Sequence, residues 1–173
     1  ADSVGFLVID ESFCDPVPDL SVCPHLTAAH DNVLVLRSFG KFYGLAGVRL
    51  GFAIGAQTLL DKMADWMGSW AVSGPALAIG KAALGDEIWA IRMTEQLADH
   101  AYQLDDLASL AGWHTIGGTS LFRLYQMTDA YHWQEHLARQ HIWTRAFSYN
   151  DRWLRLGLPP ISGWDRLQQA IIR

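Results

Sequence analysis

A glycine-rich segment in the first half of the chain carries the densest set of reactive side chains. Residues 38–51 read SFGKFYGLAGVRLG, with four glycines that let the backbone approach a ligand closely. Ser38 can donate a hydrogen bond to a phosphate oxygen, and the Arg49 guanidinium can bind the same group through two N–H donors. Lys41 is a candidate for covalent chemistry with a carbonyl, which requires desolvation or a neighbouring cation, since its free pKa is about 10.4. From the residues alone, a glycine-rich turn with solvated basic side chains explains this segment equally well.

The order of these residues resembles a known family. The pattern S-F-G-K-x-x-G-L-A-G-x-R-x-G is similar to the lysine-bearing segment of fold-type I pyridoxal phosphate (PLP) enzymes, the aspartate aminotransferase superfamily. The resemblance implies that Lys41 is the catalytic residue and condenses with the cofactor aldehyde. It also implies that Ser38 and Arg49 bind the cofactor phosphate.

Residues 10–13 resemble the D-E-x-[YF] motif of the same superfamily. The resemblance implies that Asp10 pairs with the pyridinium nitrogen, which keeps the ring protonated and able to accept electrons. Phe13 departs from the motif of many relatives, in which a tyrosine phenol contacts the ring hydroxyl. Phe13 is therefore expected at the cofactor without that hydrogen bond.

Further segments resemble one subfamily, the threonine-phosphate decarboxylases of cobalamin biosynthesis. These segments are residues 8–13, 36–47, 70–75, 117–122 and 153–159. The resemblance implies PLP-dependent decarboxylation of L-threonine O-3-phosphate to (R)-1-amino-2-propanol phosphate. A histidinol-phosphate-type aminotransferase is the alternative, because the reaction depends on which bond to Cα stands perpendicular to the cofactor ring, and the sequence does not decide this.

Two arginines are candidates for binding the substrate. Arg155 matches the family arginine that binds the substrate carboxylate, and Arg145 is a candidate for its carboxylate or phosphate end. A guanidinium suits a planar carboxylate because it offers two parallel donors. The alternative for either residue is a surface arginine at the end of a strand.

The family resemblance also implies parts that this sequence does not contain. The phosphate-cradling glycine turn, the ring-stacking aromatic and an asparagine near the ring hydroxyl lie upstream in relatives. Because the chain opens into an apolar strand without an initiator methionine, we expect it to be the C-terminal portion of a longer enzyme. A truncated, non-catalytic fragment is therefore a further alternative, and exposed sheet edges would favour a homodimer.

Composition excludes several classes of protein. Half of the 173 residues are hydrophobic, 18% are charged and the formal net charge is -5, which argues against disorder and against a nucleic-acid partner. No apolar run reaches the roughly 18 residues of a membrane span, and no signal peptide is recognisable. Cys14 and Cys23 are expected to be buried thiols rather than a disulfide framework or a metal site. These features predict a cytoplasmic protein, and the family resemblance implies that it is an enzyme that acts on a small phosphorylated amino acid.

The hydrophobic pattern predicts an α/β fold, and the family resemblance implies that it is the C-terminal half of a fold-type I PLP-dependent transferase. We expect part of the large mixed α/β sheet domain over residues 1–90 and a small α+β domain over residues 91–173, joined through a long helix at 86–111. Ser73 and Asp86 are expected helix N-caps. Strands are predicted at 5–10, 33–36, 49–54, 113–116, 121–125, 142–145 and 153–156, and the other helices at 58–67, 76–84, 130–140 and 162–172.

Two short motifs favour other enzyme classes. Ser38 and Lys41 fit the S-x-x-K motif of acyl-serine enzymes, for which Ser148 to Asn150 would be the second motif, but the glycines around Lys41 argue against the helix that this motif needs. Residues 132–136 fit the H-x-x-E-H pattern of zinc hydrolases without a clear further carboxylate ligand. An ordinary amphipathic helix explains that second motif.

Overall fold

The computed structural model describes residues 5–172 and divides the chain into two compact units, Ala1–Ala90 and Ile91–Arg173. Among the described residues, no helix is long and apolar enough to cross a membrane.

The first unit is built on a three-stranded mixed sheet. Its strands are β1 (Leu7–Asp10), β2 (Val33–Ser38) and β3 (Gly51–Gly55), in the order β1-β2-β3. Strand β1 pairs with β2 in parallel, with Asp10 beside Leu36, and β3 is antiparallel to β2. Since parallel strands end at the same edge of a sheet, Asp10 and the loop that follows Ser38 lie at one edge.

The three strands were predicted, but β1 is less buried than expected. Its side chains alternate between half-buried and exposed, and Val8 is 48% exposed. The unbroken apolar run of residues 5–9 indicates a strand buried on both faces, and this expectation is wrong for the described residues. Strand β2 is the buried centre of the sheet because it is paired on both sides, and Val35 is fully buried.

Two predicted helices follow the sheet, α1 (Gln57–Met67) and α2 (Gly74–Gly85). The N-cap prediction for Ser73 is confirmed, because its hydroxyl accepts a hydrogen bond from the Ala76 N–H at 3.3 Å. The Asp86 carboxylate accepts from the Trp89 N–H at 3.0 Å in the same way and starts α3 (Glu87–Leu110). Helix α3 runs from the first unit into the second.

The apolar residues of α3 have the helical spacing of one buried stripe, but they are buried only in the second half of the helix. Leu104 and Leu107 lie in the core of the second unit. Ile88 and Ile91 are 66% and 61% exposed, so the prediction is wrong for the start of the helix. Trp89, near the start of the helix, instead contacts the ring of the buried Phe42, with the ring centres 5.4 Å apart.

The second unit is a four-stranded antiparallel sheet with order β4-β5-β7-β6. Its elements are β4 (His114–Thr119), β5 (Phe122–Gln126), α4 (Ala130–Arg139), β6 (Arg145–Phe147), β7 (Asn150–Gly157) and α5 (Trp164–Ile172). The strand predicted at 142–145 begins only at Arg145. The preceding residues instead cap α4, since the N–H groups of His141 and Ile142 donate to the carbonyls of Ala138 and Leu137 at 2.9 Å.

A cluster of polar side chains ties α3 to this sheet. The Asp105 carboxylate accepts two hydrogen bonds from the Arg123 guanidinium, at 2.9 and 2.6 Å, and one from the Tyr125 hydroxyl at 2.8 Å. Burial raises the pKa of Tyr125, so the phenol stays protonated and donates. Asp105 thereby fixes the second half of α3 against β5.

Candidate active site

Asp10 stands at the carboxyl end of β1 with its side chain exposed. One carboxylate oxygen accepts the backbone N–H of Ser12 at 2.9 Å. Hydrogen bonds from Ser12 lower the pKa of Asp10, and the positive charge of Lys41 lowers it further. Asp10 is therefore an anion that lies within electrostatic reach of Lys41.

Lys41 lies in the loop that connects β2 to β3. This loop is anchored by Phe39 and Phe42, which are 1% and 5% exposed. The backbone is held as well, because the Leu45 N–H donates to the Phe39 carbonyl at 2.9 Å. Lys41 is exposed between these anchors, and its Nζ lies 5.5 Å from the centre of the Phe13 ring. Asp10, Phe13 and Lys41 are thus brought together at one edge of the sheet.

Ser38 and Arg49 line one cleft in the same unit. The cleft has a volume of about 420 Å³ and lies between the ends of β2 and β3 and helix α1. The Ser38 hydroxyl accepts the Gly40 N–H at 3.1 Å, which leaves its own proton free to be donated. Arg49 has a left-handed backbone, with φ of 58°, and one of its guanidinium nitrogens donates to the Ala46 carbonyl at 3.0 Å.

Each side chain at this edge suits one kind of chemical group. A hydroxyl and a guanidinium suit a phosphate, a primary amine suits an aldehyde, and a carboxylate suits a protonated ring nitrogen. Within residues 5–172, no carboxylate lies within 4.0 Å of the Lys41 amine. Together, the hydroxyl, the guanidinium, the amine and the carboxylate fit a phosphorylated aldehyde that contains a basic ring.

Sequence reasoning missed Glu11, which holds the chain that follows β1. Its carboxylate is 6% exposed and accepts hydrogen bonds from the Val22 N–H at 2.7 Å, the Ser21 hydroxyl at 2.8 Å and the Arg37 guanidinium at 2.9 Å. Burial opposes ionisation, but these bonds outweigh it and lower the pKa of Glu11. Glu11 is the second residue of the D-E-x-[YF] pattern, but two adjacent acids in a sequence do not show which of them is buried.

Arg145 and Arg155 lie in the second unit on adjacent strands. They stand directly opposite each other in the β6–β7 pair. Arg155 is half-buried and its guanidinium carbon lies 5.1 Å from the centre of the Phe122 ring. Arg145 is exposed, and its guanidinium lies 5.4 Å from the centre of the Phe147 ring. The structure brings these two predicted residues together.

The sequence as a whole matches one family model. The aminotransferase class I and II model covers residues 2–171. The chain belongs to the aminotransferase class I and II family. The superfamily resemblance carried by the lysine segment is thereby confirmed.

Two curated relatives of this aminotransferase-family chain share one name. A threonine-phosphate decarboxylase from a Sinorhizobium species is 45% identical over 172 residues, covering 99% of this chain and 51% of the relative. A threonine-phosphate decarboxylase from Pseudomonas aeruginosa is 38% identical, covering 97% of this chain and 50% of the relative. The chain therefore spans about half the length of these curated relatives.

A solved structure shows the same fold. The histidinol-phosphate aminotransferase from Sinorhizobium meliloti, in complex with pyridoxal-5'-phosphate, superimposes with a TM-score of 0.83 and is 26% identical. The alignment covers 96% of this chain and 48% of that structure. The predicted mixed α/β fold, as about half of a fold-type I aminotransferase, is confirmed.

The S-x-x-K motif has a different geometry from that of acyl-serine enzymes. Ser38 is the last residue of β2, and Lys41 lies in the irregular loop beyond it. The lysine is therefore not one helical turn from the serine, as that enzyme class needs.

Two of the three H-x-x-E-H side chains of α4 are engaged with other groups. The His136 Nε2 atom is 2.9 Å from the Ala170 carbonyl oxygen, and Glu135 forms an ion pair with Arg139. Among the described residues, no group of three or more potential ligands is placed to hold a metal ion.

Both cysteines are free. Cys14 is buried, as predicted, and burial raises the pKa of its thiol. Cys23 is only half-buried, so the expectation of a buried thiol is wrong for this residue, and its Sγ lies 3.7 Å from the Glu11 Oε2 atom.

Proposed function

We propose that this chain is the C-terminal half of a PLP-dependent enzyme that decarboxylates L-threonine O-3-phosphate to (R)-1-amino-2-propanol phosphate. In this proposal residues 1–90 are part of the large PLP-binding domain, and residues 91–173 are the small domain. The identity to two threonine-phosphate decarboxylases along nearly the whole chain supports this reaction. The enzyme would be cytoplasmic and act as a homodimer.

The described side chains fit the cofactor. Ser38 and Arg49, which line one cleft, would hold its phosphate. Lys41 offers a primary amine within electrostatic reach of the Asp10 carboxylate. Phe13 would lie against the cofactor beside Lys41 and supply no hydrogen bond, since it has no donor. The observation that carries the proposal is this convergence of Asp10, Phe13 and Lys41 at one sheet edge.

The bound cofactor supplies an electron-accepting ring that stabilises negative charge on the substrate Cα. Asp10 holds a negative charge and so keeps a proton on a ring nitrogen that contacts it. Its lowered pKa ensures that the carboxylate is ionised at neutral pH. Lys41 would hold the cofactor aldehyde through its side-chain amine. The same amine, once free, would accept or return a proton at the substrate Cα.

The two arginines suit a substrate with two anionic ends. Arg155 would bind the carboxylate, and Arg145 the carboxylate or the phosphate. How they orient the substrate decides which bond to Cα stands perpendicular to the ring, and hence whether CO₂ or a proton leaves. A histidinol-phosphate-type aminotransferase is the second candidate, supported by the 26% identical solved structure of that name.

Covalent trapping on this chain tests the site. The protein is incubated with PLP and reduced with borohydride, and the labelled peptide is identified by mass spectrometry. We expect the label on Lys41 and its loss in Lys41→Ala. The control is Lys81→Ala, because Lys81 is an exposed lysine on α2. Label on Lys62 and Lys81 as heavy as on Lys41 would contradict the assignment and favour a non-catalytic fragment.

Product analysis of the full-length gene product tests the reaction. Incubation with L-threonine O-3-phosphate should release CO₂ and aminopropanol phosphate. Formation of a keto acid from this substrate would instead establish the aminotransferase. Transfer of the amino group of histidinol phosphate to 2-oxoglutarate would also establish it.

A further inference from the structure

A single arginine of β2 binds two carboxylates of the turn that follows β1. The Arg37 guanidinium donates one hydrogen bond to Glu11 Oε2 at 2.9 Å and another to Asp15 Oδ1 at 2.7 Å, each from a different terminal nitrogen. The three side chains are at most 23% exposed, so salt screens these ion pairs less than it screens pairs on the surface. Arg37 therefore holds the turn of residues 11–15 at both of its ends.

The turn between these two carboxylates carries Phe13. The Cys14 N–H donates to the Glu11 carbonyl at 3.0 Å and closes the turn. Cys14 is buried, whereas the ring of its neighbour Phe13 has its centre 5.5 Å from the Lys41 Nζ atom. A primary ammonium over an aromatic ring is a favourable contact. The turn thus presents the ring to the lysine amine.

The backbone pairing of β1 with β2 ends before this turn. The register of the two strands ends at Asp10, beside Leu36, and one more bond follows from the Glu11 N–H to the Leu36 carbonyl at 2.8 Å. The Arg37 side chain continues the connection beyond that point. Because Arg37 and Lys41 are four residues apart on β2 and the loop after it, the guanidinium joins the turn to the segment that leads to the lysine.

Stability alone explains the Asp15 carboxylate poorly. Arg37 binds one of its oxygens, and the other, Oδ2, is buried without a hydrogen-bond partner among the described residues. Such an atom is destabilising. Glu11 already neutralises the charge of Arg37, so a second carboxylate leaves the group of three with a surplus negative charge. What Asp15 adds is a second attachment for the turn, on the far side of Phe13 from Glu11.

We propose that Arg37 is a positioning residue, which holds the Phe13 ring against the Lys41 amine by binding Glu11 and Asp15 at the same time. A guanidinium suits this role because its terminal nitrogens are fixed in one plane and each can bind a separate carboxylate. Arg37 acts through Phe13 and not on the reacting atoms. The importance of this arrangement for the cofactor rests on the proposed function, which assigns Phe13 and Lys41 to the cofactor.

Nuclear magnetic resonance of the cofactor-free chain tests the position of the ring. The chain has three lysines, Lys41, Lys62 and Lys81, so reductive methylation with isotope-labelled formaldehyde gives few lysine signals. An aromatic ring shields nuclei that lie over its face. The Lys41 signal should therefore be displaced upfield from the signals of the exposed Lys62 and Lys81. Phe13→Leu should abolish this displacement, which identifies it as an effect of the Phe13 ring.

Variants of the turn test the role of Arg37. Asp15→Ala keeps the ion pair between Arg37 and Glu11 and is expected to fold, yet the displacement of the Lys41 signal should be lost. Arg37→Gln should lose it as well. A change confined to stability would leave the signal of the folded protein in place. A signal that stays displaced in folded Asp15→Ala would refute the proposal, as would a wild-type Lys41 signal that Phe13→Leu does not move.

Two matched controls remove the same charges elsewhere. Asp19→Ala changes an exposed acid of the connection between β1 and β2, and Arg92→Gln changes an exposed arginine of α3. Both should keep the upfield displacement of the Lys41 signal. Loss of the displacement in these two variants would show that it responds to net charge and would refute a specific role of Arg37.

Borohydride trapping at increasing PLP concentration connects the turn to the cofactor. Half-maximal labelling of Lys41 should need at least about tenfold more PLP in Asp15→Ala than in wild type, because the groups that meet the cofactor are less well positioned. Asp19→Ala should label like wild type. Equal PLP dependence of Asp15→Ala and wild type would overturn the role of the turn in cofactor binding. Failure of wild type to label at Lys41 would contradict the proposed function, whereas the resonance experiment tests the positioning without the cofactor.

Discussion

Arg145 and Arg155 are direct cross-strand partners on β6 and β7. Side chains in this relation have Cβ atoms about 4.5–5.5 Å apart, and like charges so placed are destabilising. Within residues 5–172, neither guanidinium has a carboxylate within 4.0 Å. Each instead lies over an aromatic ring, of Phe147 and Phe122 respectively. The two guanidinium groups are therefore expected to repel each other, which agrees with the proposal that they bind an anion.

Removing one charge of this pair should stabilise the chain. Arg145→Gln is expected to raise the free energy of unfolding by about 0.2–1 kcal/mol at low salt, because it relieves the repulsion with Arg155. The gain should shrink between about 20 mM and about 500 mM NaCl, since salt screens exposed charges. Urea denaturation at both salt concentrations measures it, with Arg92→Gln as the control. A loss of stability in Arg145→Gln at low salt would show that the pair does not repel.

The Asp105 cluster predicts a pH dependence of stability. Burial disfavours the charged form of Asp105, but the hydrogen bonds from Arg123 and Tyr125 outweigh it and lower its pKa. Because the folded-state pKa lies below the unfolded value, the stabilisation is present above the ordinary pKa of 3.8 and is lost as the pH falls through the folded value. Asp105→Asn should therefore lower stability by about 2–3 kcal/mol at pH 7.

The neighbouring residue supplies a control for this prediction. Asp106 is exposed on the same turn of α3, so Asp106→Asn should change stability by less than about 0.5 kcal/mol. Between pH 3 and pH 7, the free energy of unfolding should fall less steeply with decreasing pH in Asp105→Asn than in wild type. Denaturant unfolding at several pH values measures this slope. Equal slopes in the two proteins would mean that Asp105 does not titrate with folding.

Local chemistry made some elements predictable from sequence. Ser73 and Asp86 are short polar side chains placed before helical stretches, and each caps its helix as expected. The strand at 33–36 was predictable because a short apolar run is typical of a buried central strand. The lysine segment was recognisable because its pattern of glycines and reactive side chains is long and ordered.

Features that depend on distant contacts were not predictable. Ile88 has the spacing of a core residue yet is exposed, because spacing does not tell which part of a helix meets a core. Glu11 is buried only because Arg37, 26 residues away, and the backbone of residue 22 come to it. The pairing of Arg145 with Arg155 depends on strand register, which sequence alone left open. Each of these features could be recognised only in the folded structure.

Gly80 should tolerate a larger side chain poorly, although it lies within a helix. A Cβ there would collide with the Leu50 side chain, which is itself buried next to Arg49. Overpacking in Gly80→Ala is expected to lower the free energy of unfolding by about 1–3 kcal/mol. The higher helix propensity of alanine offsets part of this loss. Gly85→Ala is the matched control on the same helix, because a Cβ at Gly85 meets nothing within 4 Å. Thermal unfolding that ranks Gly80→Ala as more stable than Gly85→Ala would contradict this packing.

Glu11 should be more important for the stability of the first unit than its exposed neighbour Asp10. Glu11→Gln removes the charge that accepts hydrogen bonds from Val22, Ser21 and Arg37, so a loss of about 2–3 kcal/mol is expected at pH 7. The pKa of Glu11 is lowered in the folded state, so its stabilisation is present above the ordinary value of 4.5 and is lost as the pH falls through the folded value. The loss of stability in Glu11→Gln should therefore be smaller in acid than at pH 7.

Glu95→Gln, at an exposed position, controls for the change of charge. An equal effect of the Glu11 and Glu95 substitutions in urea unfolding would show that the buried network does not stabilise the chain.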